Sequence, residues 1–224
     1  MESVGDGKVL IGSGAGRPAA ANITGDSNVT ITNGTNSIEV SSAATGGALT
    51  KISTATASTS ASIDFTGLTS SYFLYIIRYS NLQPATDATT LILRTSTDGG
   101  SSYDSGASDY SWSLFQANES GSESGSADTA DSSITVLGVA GGSDEMGSGA
   151  NEMGCGNIYI FNPSAAKYSF VFCQGTYFNE ATQLITNYSG GYRISAADVD
   201  AVQLLMDAGN ISIGDFVLYG VSNT

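Results

Sequence analysis

The chain contains no histidine. That excludes every arrangement built on an imidazole: the Ser-His-Asp and Cys-His nucleophile systems, His-ligated zinc and histidine acid–base catalysis. Two cysteines are too few for a four-cysteine zinc site or an iron–sulfur cluster. Positive charge is scarce as well, with 7 Lys and Arg against 21 Asp and Glu and a formal net charge of −14. Such a chain is a poor match for nucleic-acid phosphates or an anionic membrane surface, so neither is expected as a partner. Charged residues make up only 12% and there are three prolines, which argues against a long surface helix, a polyproline linker or collagen. The opening MESVGDGK has neither a basic nor an apolar stretch, and no cleavable secretion signal is expected. The longest apolar run, around Tyr72–Ile77, is far short of the roughly 20 residues that span a bilayer, so membrane insertion is not expected.

Glycine, serine and threonine are abundant instead, at 28, 34 and 22 of 224 residues. A compact chain of this length buries about 70% of its unfolded surface, so no metal or disulfide framework is needed to hold a core. Apolar residues recur with a period near two. Val29 and Ile31 share one face of Asn28–Thr32, and Ser37–Ser41 repeats the alternation after Asn33-Gly34-Thr35-Asn36, so the two runs read as a hairpin. Further strands are predicted at 48–53, 62–65, 72–79, 89–97, 110–116, 133–138, 157–161, 168–173, 182–187, 199–206 and 215–221. Strands at this spacing indicate an all-β sandwich or barrel. Phe73–Ile77 and Leu91–Leu93 are apolar on both faces, as strands inside a two-layer core or an assembly would be. The only helix candidate, Ala196–Leu205, reads better as a strand beside these neighbours.

Two composition shifts divide the chain. Residues 1–60 contain no aromatic residue and cannot build a dense core alone, so they are expected to form an arm that docks on a neighbour. Residues 61–224 are expected to form the sandwich. Between Thr95 and Ala166 there are ten acids and no Lys or Arg. Within that stretch, 118–131 and 140–156 are predicted to be solvated acidic loops suited to binding.

Four groups of residues are candidates for chemistry. Ser96-Thr97-Asp98-Gly99-Gly100-Ser101-Ser102-Tyr103 fits the Asp-box pattern, a hairpin in which Asp98 accepts backbone hydrogen bonds and the glycines supply unusual φ. Asp98, Asp104 and Asp109 could offer oxygen ligands to Ca²⁺, though no EF-hand spacing is present. Paired carboxylates for glycoside cleavage could be drawn from the same acids. Tyr103, Tyr110 and Trp112 lie among acidic and Gly/Ser loops and could stack on sugar rings, or Tyr110, Trp112 and Leu114 could alternate into the core. Cys155 and Cys173 bracket an expected hairpin around Ser164. A turn centred there sets residues summing to 328 opposite one another, which would pair the cysteines in a disulfide; two buried free thiols are the alternative. No catalytic residue and no cofactor are expected.

Several segments also carry a family resemblance. The N-terminal Gly7–Pro18, continuing through Ala21–Thr24 and Val29–Gly34, resembles a segment of tailed-bacteriophage tail fibres and related virion proteins. Leu91–Gly100 with Tyr103–Tyr110, and Gly209–Gly220, are similar to a jelly-roll domain of phage structural proteins. The resemblance implies an all-β, jelly-roll-like sandwich behind an N-terminal arm, located in a virion. It implies a homo-oligomer, a trimer by analogy, whose arm contacts other virion proteins. The function it implies is non-enzymatic: a fibre, spike or tip protein contacting a host surface glycan. Alternatives are a capsid decoration protein and, third, a glycan-cleaving enzyme.

Overall fold

The computed structural model describes residues 8–11, 19–25, 29–35, 37–42, 49–142 and 144–222. Among these every regular element is a strand, so the alternating hydrophobicity dictates the fold class and the Ala196–Leu205 segment is not helical. No helix among the described residues is long and apolar enough to cross a membrane.

The chain divides into two units, Met1–Gly47 and Ala48–Thr224. In the first, β1 (Lys8–Ile11) pairs with β2 (Ala19–Asn22), and β3 (Val29–Gly34) with β4 (Ser37–Ser42), all antiparallel. The expected Val29–Ser41 hairpin is present, with Ile31 opposite Val40. None of the described side chains of these strands is fully buried, as a segment without aromatics would predict.

The boundary at residue 60 is corrected by this division. β5 (Leu49–Ser60) belongs to the second unit, where it pairs with β16 (Ile211–Val221) along its whole length. β5 lacks aromatics because, as an edge strand, it contributes little to the core. Only Ala57 of β5 is buried there, while β16 contributes Phe216 and Leu218.

The second unit is a two-sheet antiparallel sandwich. The larger sheet has eight strands in the order β10 (Glu123–Asp131), β9 (Tyr110–Asn118), β14 (Leu184–Arg193), β13 (Phe170–Phe178), β12 (Gly154–Phe161), β7 (Leu74–Pro84), β16 and β5. The smaller has four, in the order β11 (Ile134–Leu137), β8 (Leu91–Ser96), β15 (Ala201–Met206) and β6 (Ile63–Thr66). Between them lies the core: Ile77, Ile158, Ile160, Cys173, Ile185 and Phe216 of the large sheet meet Leu91, Leu93, Ile134, Val136, Val202 and Leu204 of the small one.

Two further expectations are corrected. Residues 118–131 are not a loop; they form a tight turn and then β10, an edge strand that pairs with β9 from Glu123↔Ala117 to Asp128↔Trp112. At the turn Gly121 has φ 80°, and Asn118 Oδ1 accepts hydrogen bonds from the Ser120 and Ser122 amides at 3.0 and 2.9 Å. With a neighbour on one side only, such a strand can stay polar on both faces, and its acids protect the open edge from pairing with other chains. The segment 140–156 does remain irregular until β12 begins at Gly154.

The cysteines are not bonded. β12 and β13 pair with residue numbers summing to 331, so Cys155 lies opposite Thr176 and Cys173 opposite Ile158. The connection is longer than a turn centred on Ser164, and the register moves by an odd number of residues, which puts the two thiols on opposite faces. Cys155 is exposed, whereas Cys173 is buried in the core, where desolvation pushes its thiol up to about 12.

The corrected boundary makes a direct prediction. A chain of residues 48–224 should unfold cooperatively in urea near the full chain's midpoint. One of residues 61–224 exposes the unpaired edge of β16 and should unfold at clearly lower urea or aggregate.

Candidate functional site

The Asp-box lies in the loop after β8. Ser96 Oγ donates to Asp98 Oδ1 at 2.7 Å and accepts from the Gly100 amide at 3.0 Å. Ser102 donates to Asp98 twice, through its amide to Oδ1 at 2.9 Å and through its hydroxyl to Oδ2 at 2.6 Å. Gly99 and Gly100 take φ of 75° and 85°, and the Gly99 amide donates to both carboxylate oxygens of Asp200 at 2.9 Å. The side-chain hydrogen bond from Ser102 leads the causes that hold the Asp98 carboxyl down at about 2. These bonds fold the loop and dock it on Asp200.

The three calcium candidates do not converge. Asp98 is held by Ser96 and Ser102, Asp104 is ion-paired with Arg193 Nε at 2.6 Å, and Asp109 Oδ2 accepts the Gly106 amide at 2.6 Å. Among the described residues no three His, Cys, Asp or Glu side chains gather as they would around a metal.

Nor do Tyr103, Tyr110 and Trp112 form a stacking platform. Tyr110 is wholly buried, and its hydroxyl accepts from the Thr95 amide at 2.7 Å and donates to the Asp104 carbonyl at 3.1 Å. Tyr103 lies back against Gly100, and burial raises its hydroxyl to about 12, helped by Asp64, Asp200 and Asp98. Trp112 is half-buried against the core, with Nε1 donating to Asp131 Oδ2 at 2.8 Å. The alternation of Tyr110, Trp112 and Leu114 into the core is therefore the arrangement the strand adopts.

Acidic side chains do converge at one end of the sandwich. Asp144 Oδ2 accepts from Gln116 Nε2 at 3.3 Å and Ser124 Oγ at 3.4 Å. The Glu180 carboxyl is raised, first by desolvation and then by Glu145, Asp144 and Asp87. Hydrogen bonds within the loops occupy this region, including Thr89 Oγ1 with Asp207 nearby.

The most prominent feature is the outer face of the large sheet, which the sequence reading missed. Strand register arranges it in rows. Leu74, Phe161, Phe170, Tyr192 and Ser111 lie side by side, and the next row is Ile76, Tyr159, Phe172, Gly190 and Ser113. A third row is Arg78, Asn157, Gln174, Tyr188 and Phe115. Rings touch along the rows: Phe170 and Tyr192 have centroids 5.7 Å apart, Tyr159 and Phe172 6.0 Å. Yet Phe170 is 55% exposed, Phe115 49%, Tyr188 48% and Phe172 40%. Between the Phe170–Phe172 ridge and β10 runs a trough of about 540 Å³ with Gly190 in its lining. The signal available in the sequence is Phe170-Val171-Phe172-Cys173, apolar on both faces, of the kind noted at Phe73–Ile77.

No family model, no curated protein and no solved structure matches this chain.

The Asp-box yields the prediction that belongs to this region. A carboxyl whose folded pKa lies below its unfolded value stabilises above the unfolded value and loses that contribution as pH falls through the folded one. For Asp98 the window runs from 3.8 down to about 2. Asp98→Asn should therefore lower the urea midpoint at pH 6, and the gap from the parent chain should close as pH approaches 2.

Proposed function

We propose that the chain is a non-enzymatic structural component exposed on a tailed-phage particle, of the fibre or tip type, with a jelly-roll-like sandwich behind an N-terminal arm. The observation that carries the reading is the distribution of chemistry over the sandwich. Most of its acids lie in loops and on the edge strand β10, several of them held by turn bonds, while the central strands of its large sheet turn a ring-rich, acid-free face outward. That division suits a protein that works by packing against other proteins while keeping an acidic rim in water. The segments resembling phage proteins, Leu91–Tyr110 and Gly209–Gly220, fall on β8, the Asp-box loop and β16, which are parts of the sandwich frame.

The glycan-contacting subtype has lost the residues on which it rested, since Tyr110 is buried and Tyr103 and Trp112 face inward contacts. Host contact on this reading falls to the loops at the acidic end, around Asp144 and Glu180. The test is the protein's position on intact particles, by immunogold labelling or particle reconstruction. Density on the tail or its tip supports the fibre reading, density spread over the head replaces it with a decoration protein, and absence from particles overturns both.

A further inference from the structure

We infer that the outer face of the eight-stranded sheet is an interface at which a second copy of this chain packs, large sheet against large sheet.

Charge placement is the first argument. The five adjacent strands β9, β14, β13, β12 and β7 contain not one of the chain's 21 acids. A strand with one face in water needs charge exclusion only on the other face, and it normally alternates apolar with polar. Here Val171 and Cys173 point into the core while Phe170 and Phe172 point out, and Ile158 and Ile160 point in while Tyr159 and Phe161 point out. In the first two rows both faces are free of charge, but the small sheet covers only the inner one.

Area is the second. At a strand spacing of about 4.8 Å and a same-face repeat of about 6.7 Å, three rows across five strands span about 480 Å² of sheet plane. Before the relief of standing rings is counted, that is already more than half of the roughly 800 Å² each partner buries in a stable protein interface. It is on the scale of the largest patches of an ordinary monomer, about 300–600 Å², which are often functional.

The choice of occupant follows from chemistry. A chain of net charge −14 approaches its own copy most readily where acids are sparse: the five central strands of this face carry none, and acids return only at its β10 side, where Asp128 lines the trough. Two apolar sheet faces interdigitate at about 10 Å, as the layers of a sandwich do. A sugar would need donors and acceptors among the rings, and the first two rows offer little beyond Ser111, Ser113 and the hydroxyls of Tyr159 and Tyr192. Tyr159 Oη already accepts from Gln174 Nε2 at 3.2 Å. Polarity returns in the third row, where Arg78, Asn157 and Gln174 stand side by side, and Ser80 with its partner Asp215 lies beyond it.

The inference stands on this face alone and does not depend on a virion location. It is tested by sedimentation velocity of the full chain between about 1 and 50 µM, alongside Phe172→Glu and Tyr188→Lys, each checked for folding by circular dichroism and urea midpoint. The parent chain should sediment at twice the 22.8 kDa chain mass or more. Either folded variant should fall to the single-chain mass, a twofold or greater drop. Using two variants on neighbouring strands keeps the test valid if one fails to fold. A parent chain that is monomeric across the range overturns the inference, as does a folded variant that keeps the parent mass. Binding of a glycan array by a monomeric parent, lost in Phe172→Glu, would give the face to a sugar and overturn it too.

Discussion

An eight-stranded sheet has two faces, and in this chain a four-stranded sheet covers only one of them. The rest of the structure follows from that mismatch. The inward face is conventional: aliphatic residues from β7, β12, β13, β14 and β16 close over Leu91, Leu93, Val202 and Leu204 with almost no accessible surface. The outward face carries a cluster of exposed rings on β9, β12, β13 and β14, with small and polar residues between them. Leaving so much apolar surface in water forgoes roughly 25 cal/mol for each Å² that could be buried, a strong drive towards association.

The acids are placed accordingly. They are absent from the central strands and concentrated on β10, in the Asp-box and at the acidic end around Asp144 and Glu180. On β10 they guard an open strand edge. In the Asp-box, Asp98 and Asp200 hold the loop through backbone and hydroxyl donors, a local structural use of charge. At the acidic end burial raises the Glu180 carboxyl, and Glu145, Asp144 and Asp87 add to the effect. A net charge of −14 opposes the close approach of copies wherever acids face outward.

Much of this was legible in the sequence. Period-two alternation located most strands of the sandwich, because burial on one face imposes that pattern. The Asp-box was legible because its bonds are local: Ser96, Asp98, Gly100 and Ser102 make them within a few residues. The failures share one cause, dependence on partners distant in the chain. β5 was assigned to the arm because its own residues say nothing of β16, more than a hundred positions away. β10 looked like a loop because an edge strand need not alternate. The Cys155–Cys173 pairing failed because the turn length between β12 and β13, and so the register, is set by how residues 162–169 fold back. The aromatic face is the least legible feature: only the register of four strands brings Phe161, Phe170, Tyr192, Phe172 and Phe115 onto one surface.

Whether that surface is covered in solution can be read residue by residue. Hydroxyl-radical footprinting of the full chain, with oxidation at Phe115, Phe170, Phe172 and Tyr188 quantified by mass spectrometry, asks the question directly. If copies pack through the large sheet, these four rings should be protected at micromolar concentration and should become reactive together on dilution. If they oxidise at every concentration as readily as their exposure in the single chain implies, the face is open to water and the account of the fold as half of a larger packed unit is wrong.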